Sequence, residues 1–328
     1  MNRPQILVVE DDPAVRNLIT TTLETQDYQF HTAQNGGQAI MEAVSGNPDV
    51  ILLDLGLPDM DGTEIIKKVR SWSQIPIIVI SARGEALEEA YTLNQKKSNR
   101  VIGGMIWLKM ETLNVGTAID LSGLGLDTIE ETETEFRIGA MASLRALELH
   151  EGLAAYTNGA MRESVRHIVG VQLRNLATVG GSLYSRFGFS DVLTMFLVLD
   201  AQVELYKGGI VPLSEYAERP KDRDILVRII VPKKNAKFNY QSVRISQTDI
   251  PVLTCASVKD ENGYRFAIGA RPARAQIYAQ PVDKTAEQMA EAVRAEIKTG
   301  SSLRGSAEYR RHLAGVLVRR AAHALDAE

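Results

Sequence analysis

Cysteine is almost missing from this chain: Cys255 is the only one in 328 residues, so no internal disulfide can form, and an iron–sulfur cluster, which takes several thiolates, would have to sit on another chain. Long apolar runs are missing too, and none reaches the ~20 residues that cross a bilayer. The first residues lead straight into an apolar Ile6-Leu7-Val8-Val9 without a leader pattern, from which a cytoplasmic protein with no membrane attachment is expected. Neither sign of charge dominates: 37 Lys and Arg face 41 Asp and Glu, and the absence of a long basic run argues against a dedicated nucleic-acid binder. The five histidines are scattered without metal-ligand spacing. What remains is an ordinary globular composition, 45% hydrophobic and 24% charged, at a length that suggests two or three domains.

The first eighty residues alternate apolar runs with amphipathic stretches. Ile6 to Val9 reads as a buried strand ending in Glu10-Asp11-Asp12, after which Pro13 can open a helix carrying Val15, Leu18, Ile19 and Leu23 at helical spacing. A strand over 28–33, a helix over 39–44, a strand over 50–54, a helix through Ile65, Ile66 and Val69, and a strand over 75–80 follow. Strand and helix in alternation predict a parallel α/β sheet with its chemistry at the carboxyl ends of the strands, where Glu10, Asp11, Asp54 and Ser81 fall. Three carboxylates at one edge repel unless a cation lies between them, and hard oxygen ligands suit Mg²⁺. Each acid taken singly could equally be a helix cap or a solvated loop residue.

The combination ILVVEDD, LLDLGLPDMDG and VISAR resembles a response-regulator receiver domain of the potassium-operon type. The resemblance implies Asp54 as phosphoacceptor, Mg²⁺ held by Glu10, Asp11, Asp54 and the carbonyl near Gly56, and Ser81 as the switch hydroxyl. It also implies a fifth strand ending in Lys-Pro, whose cation neutralises the phosphoryl group, and a last helix. After Ser81-Ala82-Arg83 the sequence departs from that pattern, so residues 1–83 read as a truncated receiver domain joined near 83–86 to a different family. Lys109 is the nearest replacement cation in sequence and reads as a surface charge, so phosphorylation of Asp54 is expected to be slow.

Two of the glycine pairs in the rest of the chain stand out. Gly103-Gly104 lies within VIGGMIWL, and Gly180-Gly181 follows a β-leaning Ala177-Thr178-Val179. Without Cβ atoms, backbone N–H groups can approach an anion, and two such loops could hold a pyrophosphate; either pair alone could be only a tight turn. The order IGG, FRIGAMASL, QLRNLATVGGSL and then Asp191 resembles the FAD-binding subunit of the molybdenum hydroxylases, the xanthine dehydrogenase and carbon monoxide dehydrogenase group, from about residue 87 onward.

That resemblance implies that Val101, Ile102, Gly103, Gly104, Met105, Ile106, Trp107 and Leu108 wrap the FAD pyrophosphate together with Thr178, Val179, Gly180, Gly181 and Ser182. Ser182 stands where the family usually has Asn. Asp191 would hydrogen-bond the cofactor, cap the helix that follows it, or do both. Leu226 would touch the flavin through its main chain, and Tyr240 occupies a position often held by Lys. Trp107 and Tyr184 could pack on the flavin or fill core, and core is the preferred reading for each. No catalytic acid–base pair stands out, which fits a flavoprotein, since the flavin brings its own redox chemistry. Replacing both Gly180 and Gly181 is expected to remove flavin and leave the fold intact.

The fold expected is α/β plus α+β: a partial receiver-type parallel sheet (1–83), a two-subdomain PCMH-type FAD-binding fold (84–123 and 124–235), and a C-terminal α+β domain (236–328). Within it we expect strands at 203–206 and 227–231, helices at 143–150 and 161–169, and a small sheet from 238–246, 252–258 and 265–269. Thr285 and Gln288 form a capping-box pattern, and Arg310, Arg311, Arg319 and Arg320 read as interface or solvent charges. The strand at 100–102 is expected to extend the receiver sheet beside 75–80, covering an otherwise exposed edge. The implied function is electron relay between an iron–sulfur partner and NAD⁺ or another acceptor, with molybdopterin-binding and 2Fe–2S subunits as partners. The rival reading is a phosphorelay signalling module.

Overall fold

In the computed structural model, residues 4–80, 86–112 and 114–327 are described, so Ser81 and most of the junction at 83–86 lie outside the described residues. The contacts group into two units, Met1–Leu126 with Arg223–Ile225, and Asp127–Asp222 with Leu226–Glu328.

The alternation of apolar runs and capped amphipathic segments builds the first unit in the expected order. It runs β1 (Gln5–Val9), α1 (Pro13–Thr25), β2 (Gln29–Ala33), α2 (Gly36–Ser45), β3 (Val50–Asp54), α3 (Gly62–Arg70), β4 (Ile77–Ile80), α4 (Ala86–Asn94), β5 (Arg100–Ile102), a 3₁₀ turn at Leu108–Met110, and β6 (Thr117–Asp120). Asp12, Asn35 and Asp61 cap the first three helices by accepting their leading N–H groups. The strands form one six-stranded sheet in the order β2-β1-β3-β4-β6-β5, parallel throughout.

The receiver strands and those of the following family therefore do share a sheet, but the strand beside β4 is β6 and not the expected β5. An inner strand is paired on both sides, which suits β6, where Thr117 and Ile119 are buried, better than β5, where only Ile102 is. β5 begins with Arg100, whose guanidinium reaches the carbonyl of Asn99 at 2.8 Å, and it takes the edge. Arg70 of α3 donates to the Gly116 carbonyl just ahead of β6, fastening the two stretches a second time. The apolar spacing of α1 does not translate into burial: none of its residues is buried, and Leu18 is 70% exposed.

The second unit opens with β7 (Ile129–Glu131) and β8 (Glu135–Gly139), then five short helices: α5 (Leu144–Leu149), α6 (Glu151–Tyr156), α7 (Ala160–Val165), α8 (Val171–Leu176) and α9 (Val179–Ser185). After them come α10 (Asp191–Val198), β9 (Gln202–Leu205), β10 (Gly209–Pro212), α11 (Leu213–Glu218) and β11 (Leu226–Pro232). β12 (Lys237–Val243), β13 (Leu253–Asp260), β14 (Gly263–Gly269), β15 (Gln276–Gln280), α12 (Ala286–Glu296) and α13 (Ala307–Asp326) complete it. A five-stranded antiparallel sheet, β10-β9-β11-β8-β7, and a four-stranded one, β12-β13-β14-β15, form its framework. Every residue of α10 is buried, as its nearly all-apolar sequence requires.

Several expectations need correction here. The helix expected over 161–169 stops at Val165, and Val169 lies in the left-handed region at φ 48°, which a helix cannot traverse. The small C-terminal sheet gains a fourth strand, β15. Arg310 is not a surface charge: it is 2% exposed and donates to the carbonyls of Val252 (2.9 Å), Gly300 (2.7 Å) and Gly305 (2.5 Å), fixing the loop ahead of α13. Arg311, Arg319 and Arg320 are exposed, and the capping box at Thr285 and Gln288 is formed.

Candidate functional sites on the sheet edge and the glycine turns

Because the six strands run parallel, their carboxyl ends share one edge. Glu10 after β1 and Asp54 at the end of β3 are buried there, and with Asp11 they offer carboxylate oxygens that all lie within 4.8 Å of one another. Burial, then the charges of Asp54 and Asp11, raise the Glu10 carboxyl above its ordinary value, against a backbone hydrogen bond from Asp12. This is the electrostatic condition that a divalent cation relieves, so the donor set fits Mg²⁺. Gly56, expected to lend its carbonyl, sits in the adjoining turn and donates its N–H to Asp54 Oδ1 at 3.2 Å.

The neighbouring strand position supplies no cation. Asp54 is registered with Ile80 on β4, and Val79 with Ile119 on β6, so β6 brings Asp120 to this edge where the receiver resemblance implies Lys. Asp120 accepts from the N–H (2.9 Å) and hydroxyl (2.7 Å) of Ser122. Lys109 lies exposed on the 3₁₀ turn.

β5 ends at Ile102, and the first glycine turn follows it from the same edge. The N–H groups of Gly104, Met105 and Ile106 have no backbone acceptor among the described residues. Met105 holds a left-handed backbone at φ 54°, a cost that a non-glycine residue carries mainly where surrounding structure or function demands it. Val101, Gly103, Gly104, Ile106 and Leu108 are half-buried, Ile102 is buried, and Met105 is exposed. Trp107, read from sequence as core, is 42% exposed.

The second glycine pair is not a loop. Thr178 caps α9 by accepting the Gly181 N–H at 3.1 Å, which puts Gly180 and Gly181 in the first turn of that helix. The N–H groups of Val179 and Gly180 go to the carbonyls of Ala142 (2.9 Å) and Ala140 (2.8 Å), and that of Ser182 to Thr178 (3.1 Å). All four amides of this turn are thus engaged within the protein. A ligand approaching it meets the bare, exposed Cα of Gly181 and the side chains of Thr178 and Ser182, of which Thr178 is buried and Ser182 half-buried.

The two glycines also differ. A Cβ on Gly180 would lie 2.7 Å from both the Cβ and the carbonyl oxygen of Ala140, whereas one on Gly181 would meet only Thr178 Oγ1, at 2.9 Å. The expectation that both could be replaced with the fold intact therefore fails for Gly180, which is a packing residue.

Asp191 is the first residue of α10 and not its cap; Ser190 takes that role by accepting the Leu193 N–H at 3.0 Å. Asp191 is buried and accepts from the Tyr240 hydroxyl at 2.5 Å and from Arg244 Nη2 at 2.6 Å. Burial raises its carboxyl above the ordinary value, with Arg244 and Tyr240 pulling the other way. The Tyr240 hydroxyl is raised well above normal by burial and by Asp191. Arg244 escaped the sequence reading, although its place four residues beyond Tyr240 in an extended segment sets both on one face.

Leu226 opens β11 at a bulge against β9, a feature that re-aims backbone groups. Tyr184, read as core, is half-buried and donates to the Asp222 carbonyl at 3.0 Å. A separate groove of about 330 Å³ between α12 and α13, lined by Glu291, Arg294, Glu308, Arg311 and His312, contains none of these residues.

An acidic pair and a third carboxylate on the carboxyl edge of a parallel sheet, followed by glycine turns in a mixed α/β framework, define a two-part class: a receiver-type sheet joined to a framework that carries the glycine turns. Residues 6–99 match the response regulator receiver domain, residues 79–234 the FAD binding domain in molybdopterin dehydrogenase, and residues 263–325 the CO dehydrogenase flavoprotein C-terminal domain. The chain is a fusion of that receiver domain with the FAD-binding and C-terminal domains of the molybdopterin dehydrogenase flavoproteins. Residues 79–99, which include α4, satisfy both of the first two patterns.

Among relatives, the KDP operon transcriptional regulatory protein KdpE of Escherichia coli K12 is 42% identical over 89 residues, covering 27% of this chain. The chain spans only 40% of the length of that regulator. The uncharacterized protein YgfM of the same organism is 28% identical over 244 residues, 72% of this chain and 92% of YgfM. In fold, the chain is similar to a subunit of the carbon monoxide dehydrogenase from Hydrogenophaga pseudoflava, with TM-score 0.66 at 22% identity, covering 77% of this chain and 98% of that one. Among the described residues, no helix is long and apolar enough to cross a membrane.

Proposed function

We propose that this chain binds one FAD non-covalently and relays electrons between an iron–sulfur partner and NAD⁺ or another acceptor, within a complex that also contains a molybdopterin-binding subunit. The observation that carries the reading is the set of N–H groups at residues 104–106 without a backbone acceptor among the described residues, which suits an anion such as a pyrophosphate. A bound flavin supplies hydride and single-electron chemistry of its own. The residues of the chain bind and orient: to the phosphates we assign the turn 101–108 and, from the second unit, Thr178, Gly181 and Ser182, and Leu226 offers backbone at its bulge. Asp191, held by Tyr240 and Arg244, presents a fixed carboxylate near the start of α10.

Residues 84–123, 124–235 and 236–328 are the parts we assign to the flavoprotein, and 1–83 to the receiver. The substrate is hydroxylated on another subunit, so the isolated chain is inactive toward it, and the cytoplasm is the compartment this role requires. Equilibrium dialysis against FAD, followed by anaerobic addition of NADH, tests the reading. Binding followed by bleaching of the flavin supports both halves of it; binding without bleaching refutes NAD⁺ as acceptor, and failure to bind refutes the whole.

The cluster of Glu10, Asp11 and Asp54 favours a second activity, cation binding by the receiver. Phosphoryl transfer to Asp54 is disfavoured in the same place. Asp120 adds negative charge where a transferring phosphoryl group requires positive charge.

A further inference from the structure

The segment Arg223–Ile225 belongs to the first unit although the residues on both sides of it in sequence belong to the second. Its anchor is one half-buried guanidinium. Arg223 Nε donates to the carbonyl of Asn94, and Nη2 donates to the carbonyls of Lys96 and Asn99, each at 2.7 Å, and to Asn94 Oδ1 at 3.2 Å. The contact is reciprocal, since Asn94 Nδ2 (2.8 Å) and Gln95 Nε2 (3.1 Å) donate to the Arg223 carbonyl.

These acceptors are not arbitrary. Asn94 is the last residue of α4, where carbonyls lack helical partners and the helix dipole favours a cation. Asn99 is buried and directly precedes β5, the strand that delivers the first glycine turn. β5 has three residues and pairs on one side only, so its own ladder holds its position weakly. The entry to β5 is instead fixed by Arg223 at Asn99, together with the bond from Asn99 Nδ2 to the Leu93 carbonyl at 2.8 Å. Leu226 follows this anchor by three positions in the chain.

We propose that Arg223 is a positioning residue for flavin binding. By clamping the turn between α4 and β5 it fixes where the open N–H groups of residues 104–106 stand, a role that rests on the flavin reading above. A guanidinium holds its N–H donors in a rigid planar fork that fits this arrangement of carbonyls, whereas the three donors of lysine rotate on one ammonium at the end of a flexible stem.

The test compares wild type, Arg223→Ala and Arg223→Lys as full chains in two measurements. Hydrogen–deuterium exchange without FAD is expected to show peptides spanning residues 94–104 exchanging faster in both variants, with the second unit unchanged. Titration with FAD is expected to show the dissociation constant raised by about tenfold or more, with an altered visible circular dichroism of the bound flavin.

Faster exchange with an FAD dissociation constant within about twofold of wild type would reduce Arg223 to a structural clamp and overturn the proposal; unchanged exchange would overturn it outright. If Arg223→Ala does not fold, Arg223→Lys carries both measurements. A wild-type chain that takes up no FAD defeats the flavin reading instead, a result distinguishable because the exchange comparison involves no FAD.

Discussion

Replacing each glycine of the second pair by alanine should separate two roles that look identical in sequence. At Gly180 the new methyl group would sit 2.7 Å from the Ala140 Cβ and carbonyl oxygen and 3.0 Å from its Cα. That contact is with backbone on β8's exit, so α9 must shift, and overpacking of this kind costs about 1–3 kcal/mol. At Gly181 the methyl group meets only Thr178 Oγ1. Disturbing that cap costs about 1 kcal/mol, and the better helix propensity of alanine returns about 1 kcal/mol, so the two nearly cancel.

Thermal unfolding is the assay, with a shift of about 2–4 °C per kcal/mol for a unit of 150–250 residues. Gly180→Ala should melt several degrees lower, and Gly181→Ala should melt within about 2 °C of wild type yet lose FAD affinity, because its exposed Cα is the surface a phosphate would approach. A Gly180→Ala chain as stable as wild type would show that the close approach to Ala140 is not a constraint, and undiminished FAD binding by Gly181→Ala would remove the turn from the site.

Mg²⁺ should raise the melting temperature at neutral pH and lose that effect in Glu10→Gln. Because the folded-state Glu10 carboxyl is raised above its ordinary value of 4.5, the stability it contributes is lost as pH rises from there through the raised folded value, so the effect of Mg²⁺ should be largest above that raised value and fall away below it. Melting curves with and without Mg²⁺ across that range check the sign. A small phosphodonor with Mg²⁺ should leave the intact mass largely unchanged; prompt stoichiometric phosphorylation that disappears in Asp54→Ala would contradict the charge argument from Asp120. Asp191→Ala should cost about 3–5 kcal/mol in denaturant unfolding even without FAD, since it strands Arg244, whose side chain is only 7% exposed. Arg70→Ala should cost about 1–3 kcal/mol in the same measurement by leaving the Gly116 carbonyl without its donor.

The parallel strands of the receiver were legible because Ile6 to Val9, Val50 to Leu53 and Ile77 to Ile80 are continuous apolar runs, the pattern a strand buried on both faces must have. The order of β5 and β6 was not, since it turns on which of two short segments is the better buried, β6 with Thr117 and Ile119 or β5 with Ile102 alone, and neither run is apolar enough to announce it. Glycine's low helix propensity made the second pair look like a loop; Thr178 and Ala140, one a cap and the other a contact distant in sequence, put it in a helix. Asp191 was readable as special by resemblance, but its partners lie 49 and 53 residues away, and no local pattern announces such a contact. Arg310 misled for the opposite reason: charge next to charge in Tyr-Arg-Arg suggests solvent, while the carbonyls that accept from it come from two loops that fold back over α13.

The visible absorption spectrum of the purified chain after saturation with FAD and removal of the excess tests the central claim most directly. The account predicts a protein-bound flavin spectrum at one FAD per chain, released intact on denaturation. A colourless chain that retains no FAD under those conditions would contradict it.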